Sequence, residues 1–256
     1  MPDNERLFNI DIEILCSGSS QNTGEKEASL LIEEVKHFFL PICYRESGTV
    51  KLQIENRPNA STPQFCPTTL NPTFPYDRII INMQNFTYWC QLIYQFSHEF
   101  SHFLIFHQNP DEDRNVSWIE ETICEALSLV LLKHFAENWS SCPLFSLVPN
   151  YDAGIGKYLA NRLAEKGNCK LAKCRNLLEL QGINVNSQSD RASRREEVHQ
   201  LYGAIQGPHD IQALLRYRDF VIPKTILLDV PEYRKNHPAS NAVQYLCTLQ
   251  TSIISS

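Results

Sequence analysis

The sequence predicts an α+β protein whose strands all fall within its first third and whose remainder is helical. Three observations predict it. Short segments before residue 83 alternate apolar and polar residues with period two. Two long segments between Phe86 and His134 are apolar nearly all round and contain no Gly or Pro. Beyond Trp139 every periodic pattern has helical spacing and no strand is recognisable, so the chain divides into parts at 1–140 and 141–256.

Leu7 to Ile14 alternates as a half-buried strand and leads into a Ser, Gly and Asn turn cluster from Ser17 to Gly24. Residues 25 to 40 place Leu30, Leu31, Val35, Phe38 and Phe39 at helical spacing, and Pro41 stops the run. Thr49 to Glu55 turns Val50, Leu52 and Ile54 inward as a second strand. Residues 57 to 76 read as a loop rich in Pro, Thr and Asn, and Arg78 to Asn82 as a short β-branched strand. The two core helices follow, Phe86 to His107 and Trp118 to His134, joined by the acidic loop Asn109 to Asn115. Further helical patterns fall at about 154–166, 170–180, 192–205, 208–218 and 238–251, while Ile183 to Arg195 is polar enough to predict a mobile loop.

With 256 residues, 43% apolar and 20% charged, the chain can bury a sizeable core. A net charge of −6 argues against a nucleic-acid partner, which requires a basic face to displace counterions from phosphates. The longest apolar stretch, Ala126 to Leu132, is far shorter than the roughly 20 residues that span a bilayer, so no membrane partner is expected. Met1 to Arg6 carries acids where a secretory signal has basic residues, and the nine cysteines include no C-x-x-C, which together point to the cytoplasm. Cys169 and Cys174, the closest pair, read as small buried hydrophobes rather than metal ligands.

The chemistry is concentrated in His98-Glu99-Phe100-Ser101-His102. Four-residue spacing puts both imidazoles on one helix face, about one turn apart, suited to a single zinc ion. Glu99 points roughly 100° round the helix, where it can reach a water without ligating the metal. On the second helix, Ser117-Trp118-Ile119-Glu120 has the form of a capping box, which gives Glu120 a structural task. Glu121, Glu125 and Ser128 then form a polar stripe on an otherwise apolar helix. A buried unpaired carboxylate costs several kcal/mol, so the stripe requires a partner, and a metal ion is one.

These residues resemble the gluzincin metallopeptidases, whose signature is H-E-x-x-H followed at some distance by a glutamate that is the third zinc ligand. Eighteen residues separate His102 from Glu121, and Trp118-Ile119-Glu120-Glu121 is similar to the Trp-x-x-Glu around that ligand in the aminopeptidase branch. Glu121-Thr122-Ile123-Cys124-Glu125 is similar to the E-x-x-x-D of the thermolysin branch. The resemblance covers roughly residues 76 to 128. It implies a zincin-like N-terminal lobe, with a small twisted sheet, an active-site helix and a glutamate helix, and an all-helical C-terminal lobe closing the cleft. It implies zinc held by His98, His102 and Glu121, with Glu125 accepting a ring hydrogen of a ligating histidine. Arg78 to Asn82 stands where the family places the edge strand that binds extended peptide.

The activity so implied is hydrolysis of peptide bonds in a peptide or protein substrate, with Glu99 as general base and a tyrosine or histidine of the helical lobe stabilising the oxyanion. Tyr202 and His199, three residues apart on one helix, are the first candidates, ahead of Tyr158 and Tyr151. Met83-Gln84-Asn85 lacks the Gly and Glu of the family's amine-anchoring loop, which favours an endopeptidase over an aminopeptidase. The alternative is a non-catalytic zinc-binding scaffold or interaction protein that retains the fold.

Overall fold

The structure, a computed structural model, describes residues 9–15, 24–43, 49–58, 62–69, 75–167, 171 and 173–254. Most of the expected turn cluster at 17–24, and Cys169, lie outside the described residues. The architecture is α+β: strands β1 (Asn9–Leu15), β2 (Thr49–Asn56), β3 (Gln64–Cys66) and β4 (Asp77–Ile81), with helices α1 (Glu25–Phe39), α2 (Trp89–Gln108), α3 (Ser117–Asn138), α4 (Tyr151–Ala164), α5 (Leu177–Asn186), α6 (Arg195–Ala204), α7 (Pro208–Leu215), α8 (Val230–Asn236) and α9 (Asn241–Ile254). Two compact units are formed, one by residues 1–103 with 131–159, the other by 104–130 with 160–256. The divisions fall inside α2 and α3, so each of these helices belongs to both.

In the first unit the sheet order is β1-β2-β4-β3, with the first three strands parallel and β3 antiparallel to β4. The register sets Ile54 beside Ile79 and Asn56 beside Ile81, so Leu52, Ile54, Ile79 and Ile81 make one fully buried apolar face. The other face is a polar ladder. Gln53 donates to Glu13 at 3.1 Å, and Arg78 donates to Gln53 at 3.1 Å and to Glu55 at 2.8 Å. Arg57 adds two bonds to Glu55, and its hydrogen bond holds the Glu55 carboxyl below its ordinary pKa despite burial. That ladder explains why Gln53 and Glu55 are buried in a strand read as half-exposed.

The expected edge strand at Arg78–Asn82 is corrected: β4 has neighbours on both sides, and the edge belongs to β3, which lies inside the segment read as a loop. Three residues paired only over Gln64–Cys66 are too short for a period-two signal to stand out. α1 buries Ala28, Leu31, Ile32, Val35 and Phe39 at helical spacing, and Phe39 meets Phe100 of α2 with ring centroids 5.9 Å apart. Phe96, Phe100 and Phe103 stack along α2, and Phe65 of β3 meets Phe103 edge-on at 5.7 Å. Tyr151 donates no support to a catalytic role, since its hydroxyl lies 3.4 Å from Cys90 Sγ, within a cluster formed with Trp89 and Trp139 at the start of α2.

The second unit is helical apart from one bridge between Val221 and Leu228. Trp118, fully buried, is fixed at both ends: its amide donates to Asn184 Oδ1 and its indole to the Ile226 carbonyl, each at 3.1 Å. Helix α8 was not anticipated, although Asp229 followed by Pro231 and Glu232 is a helix-start pattern and the Asp229 side chain caps it. The polar segment read as mobile is folded. It closes α5, makes a 3-10 turn over Arg191–Arg194 and enters α6. A Cβ on Gly167 would stand 2.6 Å from the Ala192 carbonyl oxygen, so glycine lets the two segments approach. No described helix is long and apolar enough to cross a membrane.

Asp210 is wholly buried in α7 and accepts from Ser240 Oγ at 2.5 Å, from the Gln206 amide at 2.8 Å and from the Ala242 amide at 3.4 Å, tying α7 to the start of α9. Asp210→Ala is expected to lower stability by about 2–3 kcal/mol in urea unfolding, whereas Asp152→Ala on an exposed face should stay within about 0.5 kcal/mol.

Candidate metal centre

α2 presents His98 and His102 one turn apart. Their rings have centroids 5.0 Å apart, and the two Nε2 atoms are separated by 3.3 Å. Glu121, in the second turn of α3, completes a group: one ligand atom from each of His98, His102 and Glu121 lies within 4.8 Å of the others. His98 and Glu121 are buried and His102 is half-buried. Two imidazoles and a carboxylate gathered in this way are a donor set that could hold a metal ion.

Buried hydroxyls around these residues need no outside partner. Ser101 donates to the Ser97 carbonyl at 2.7 Å, Thr122 to Trp118 at 2.6 Å and Ser128 to Cys124 at 2.8 Å, each to a carbonyl four residues back. Ser128 therefore drops out of the polar stripe that asked for a partner. Glu99 is buried on α2, and its charge adds to burial in raising the Cys66 thiol pKa. The prospective base thus acts electrostatically on the last residue of the edge strand.

The three buried glutamates of α3 are answered by arginines. Glu120 accepts from the Tyr217 hydroxyl at 2.5 Å and from Arg218 Nε and Nη2 at 3.0 and 3.3 Å. Burial works against the charge of Arg218, and Glu120 more than restores it. The structural task foreseen for Glu120 thus runs through a long-range pair, while the first turn of α3 closes on the Val116 carbonyl, which accepts from Ile119 and Glu120. Glu121 Oε2 accepts from Arg194 Nη2 at 3.2 Å, a pair in which both side chains are almost wholly buried. Glu125 pairs with Arg162 at 3.2 Å and with Arg191 at 3.7 Å.

His199 and Tyr202 both lie on α6, outside the ligand group. His199 stands beside Glu125 in a pocket with Arg162 and Arg195; burial, then Arg195, lower its pKa, which favours a neutral ring. Tyr202 is half-buried three residues on. Tyr158 packs its ring on Tyr94 at 6.0 Å. Sequence reasoning missed the arginines altogether. Their signal was the cluster Arg191-Ala192-Ser193-Arg194-Arg195, which sat in a segment taken for solvated loop.

No protein-family model, curated protein or solved structure matches this chain. The Glu120 pair gives a test of the arrangement that is separate from any ligand. Glu120→Gln leaves Arg218 buried beside a neutral amide, and a loss of about 3–5 kcal/mol is expected in chemical denaturation.

Proposed function

We propose that the protein is a zinc-dependent metallopeptidase of the gluzincin type, with zinc held by His98, His102 and Glu121. The observation that carries this reading is the convergence of the three ligand atoms. Tetrahedral coordination at 2.0–2.1 Å separates neighbouring ligand atoms by roughly 3.3–3.4 Å. The two Nε2 atoms, 3.3 Å apart, have that spacing before any ion is considered. Three protein ligands of this kind leave a coordination position open, which is the mark of a catalytic rather than a structural zinc site.

Zinc, when bound, supplies Lewis acidity to a substrate carbonyl and to the attacking water. The chain's own residues do the rest. Glu99, one position past the first ligand, takes the proton of the water and delivers it to the leaving amine. Tyr202 or His199 would donate a hydrogen bond to the oxyanion. An extended peptide would add to the sheet at the β3 edge. Glu125, paired with Arg162 and Arg191, would serve as the acid that orients a ligating histidine. A cytoplasmic location is part of the same reading.

The test is metal analysis beside turnover. Wild type is expected to hold about one zinc per chain, and His98→Ala or Glu121→Ala to lose it. Glu99→Gln should keep the metal while peptide cleavage falls by about 10²–10⁴-fold. Failure of the wild type to retain zinc from an equimolar supply would overturn the metal reading. Zinc retained without cleavage of a broad peptide library would instead assign a non-catalytic zinc scaffold, the second reading.

A further inference from the structure

Beside Glu125 lies a small pocket whose charged wall consists of Arg162, Arg191, Arg194, Arg195, His199 and the Glu125 carboxylate. Its volume is about 10 Å³, room for one water-sized species. Four guanidiniums face it against one carboxylate; Glu121 and Glu165, which also pair with these arginines, are not part of the wall. Arg194 is wholly buried, and its guanidinium is fixed by the Ser187 and Asp190 carbonyls and by Glu121. Those bonds use its two terminal nitrogens. Its Nε–H, buried as well, has no hydrogen-bond partner among the described residues.

A buried donor without an acceptor costs about 1–3 kcal/mol, and more when the group is charged. Something should therefore accept from Arg194 Nε. A carboxylate or phosphate group is too bulky for the space, and a cation is repelled by the wall. We propose that this pocket binds one small monovalent inorganic anion, a halide such as chloride, cradled by the arginines and by Arg194 Nε–H. The site shares Glu125 and His199 with the proposed peptidase reading but none of the three proposed zinc ligands, so halide binding can be tested whether or not zinc is held. Arginine suits the task because its guanidinium stays charged when buried and carries donors on fixed directions. Leu129 and Val198 supply the apolar part of the wall.

The full-length protein tests this directly. Thermal unfolding is followed while sodium chloride or sodium bromide replaces sodium gluconate at constant ionic strength, and crystals soaked in bromide are read by anomalous scattering. The expected result is a saturable rise in the unfolding midpoint with either halide and a bromide peak in the pocket. Arg194→Met removes a wholly buried charge and risks misfolding, so the variant is Arg191→Gln, which alters the most exposed of the four side chains at 27%. In it the half-saturating halide concentration should rise at least about tenfold. A midpoint indifferent to the exchange, with no bromide in the pocket, overturns the proposal and assigns water to the site. A bromide peak undiminished in Arg191→Gln overturns it too, as an adventitious ion only.

Discussion

An ionised carboxylate taken out of water must recover several kcal/mol from a partner or give up its charge, and α3 presents three within two turns, Glu120, Glu121 and Glu125. Each meets an arginine supplied from 37 to 98 residues further along the chain: Arg218, Arg194, and Arg162 with Arg191. The second unit is arranged around that requirement. Its helices are short, and several join through turns whose purpose is to aim a guanidinium. Arginine rather than lysine does this because a planar fork can satisfy a carboxylate and a backbone carbonyl at once, as Arg194 does with Glu121, Ser187 and Asp190.

The same requirement explains why residues 187–194 are ordered despite their polarity. Low hydrophobicity predicts disorder when a segment has nothing to bury. Here the segment buries one arginine. Its carbonyls at Ser187 and Asp190 accept from the guanidinium, and the Ser193 carbonyl accepts from the Leu171 amide at 3.0 Å. Conformational entropy is offset by charge-assisted bonds in a dry setting rather than by apolar area. Periodicity cannot register that trade, because it reads apolar spacing alone.

Legibility in the sequence followed from whether a feature is local. The long helices α2 and α3 stood out because twenty or so residues without Gly or Pro leave no other reading, and the one-turn spacing of His98 and His102 follows from helix periodicity. Strand β3 was hidden by its length, and the position of β4 inside the sheet depends on a pairing that no residue of β4 announces. Helix α8 was readable from Asp229, Pro231 and Glu232 but is short enough to be passed over. The polar stripe on α3 correctly signalled a need for partners at Glu121 and Glu125, yet it could not say which partners. Ser128 looked equivalent in sequence and is satisfied by its own helix.

Whether the arginines make a metal unnecessary turns on the histidines. An ion-pair network gives Glu120, Glu121 and Glu125 arginine partners, with Arg194 engaging Oε2 of Glu121. The two imidazole nitrogens, 3.3 Å apart, answer each other as donor and acceptor when one ring carries its hydrogen on Nε2 and the other on Nδ1. Protonating both rings would set two cationic donors face to face in a largely buried place, a costly arrangement. Under the proposed zinc reading both nitrogens would instead turn their lone pairs to the ion, and Arg194, which engages Glu121 Oε2, would also hold that carboxylate in place, so that the buried pair and the proposed metal would call for the same geometry of Glu121.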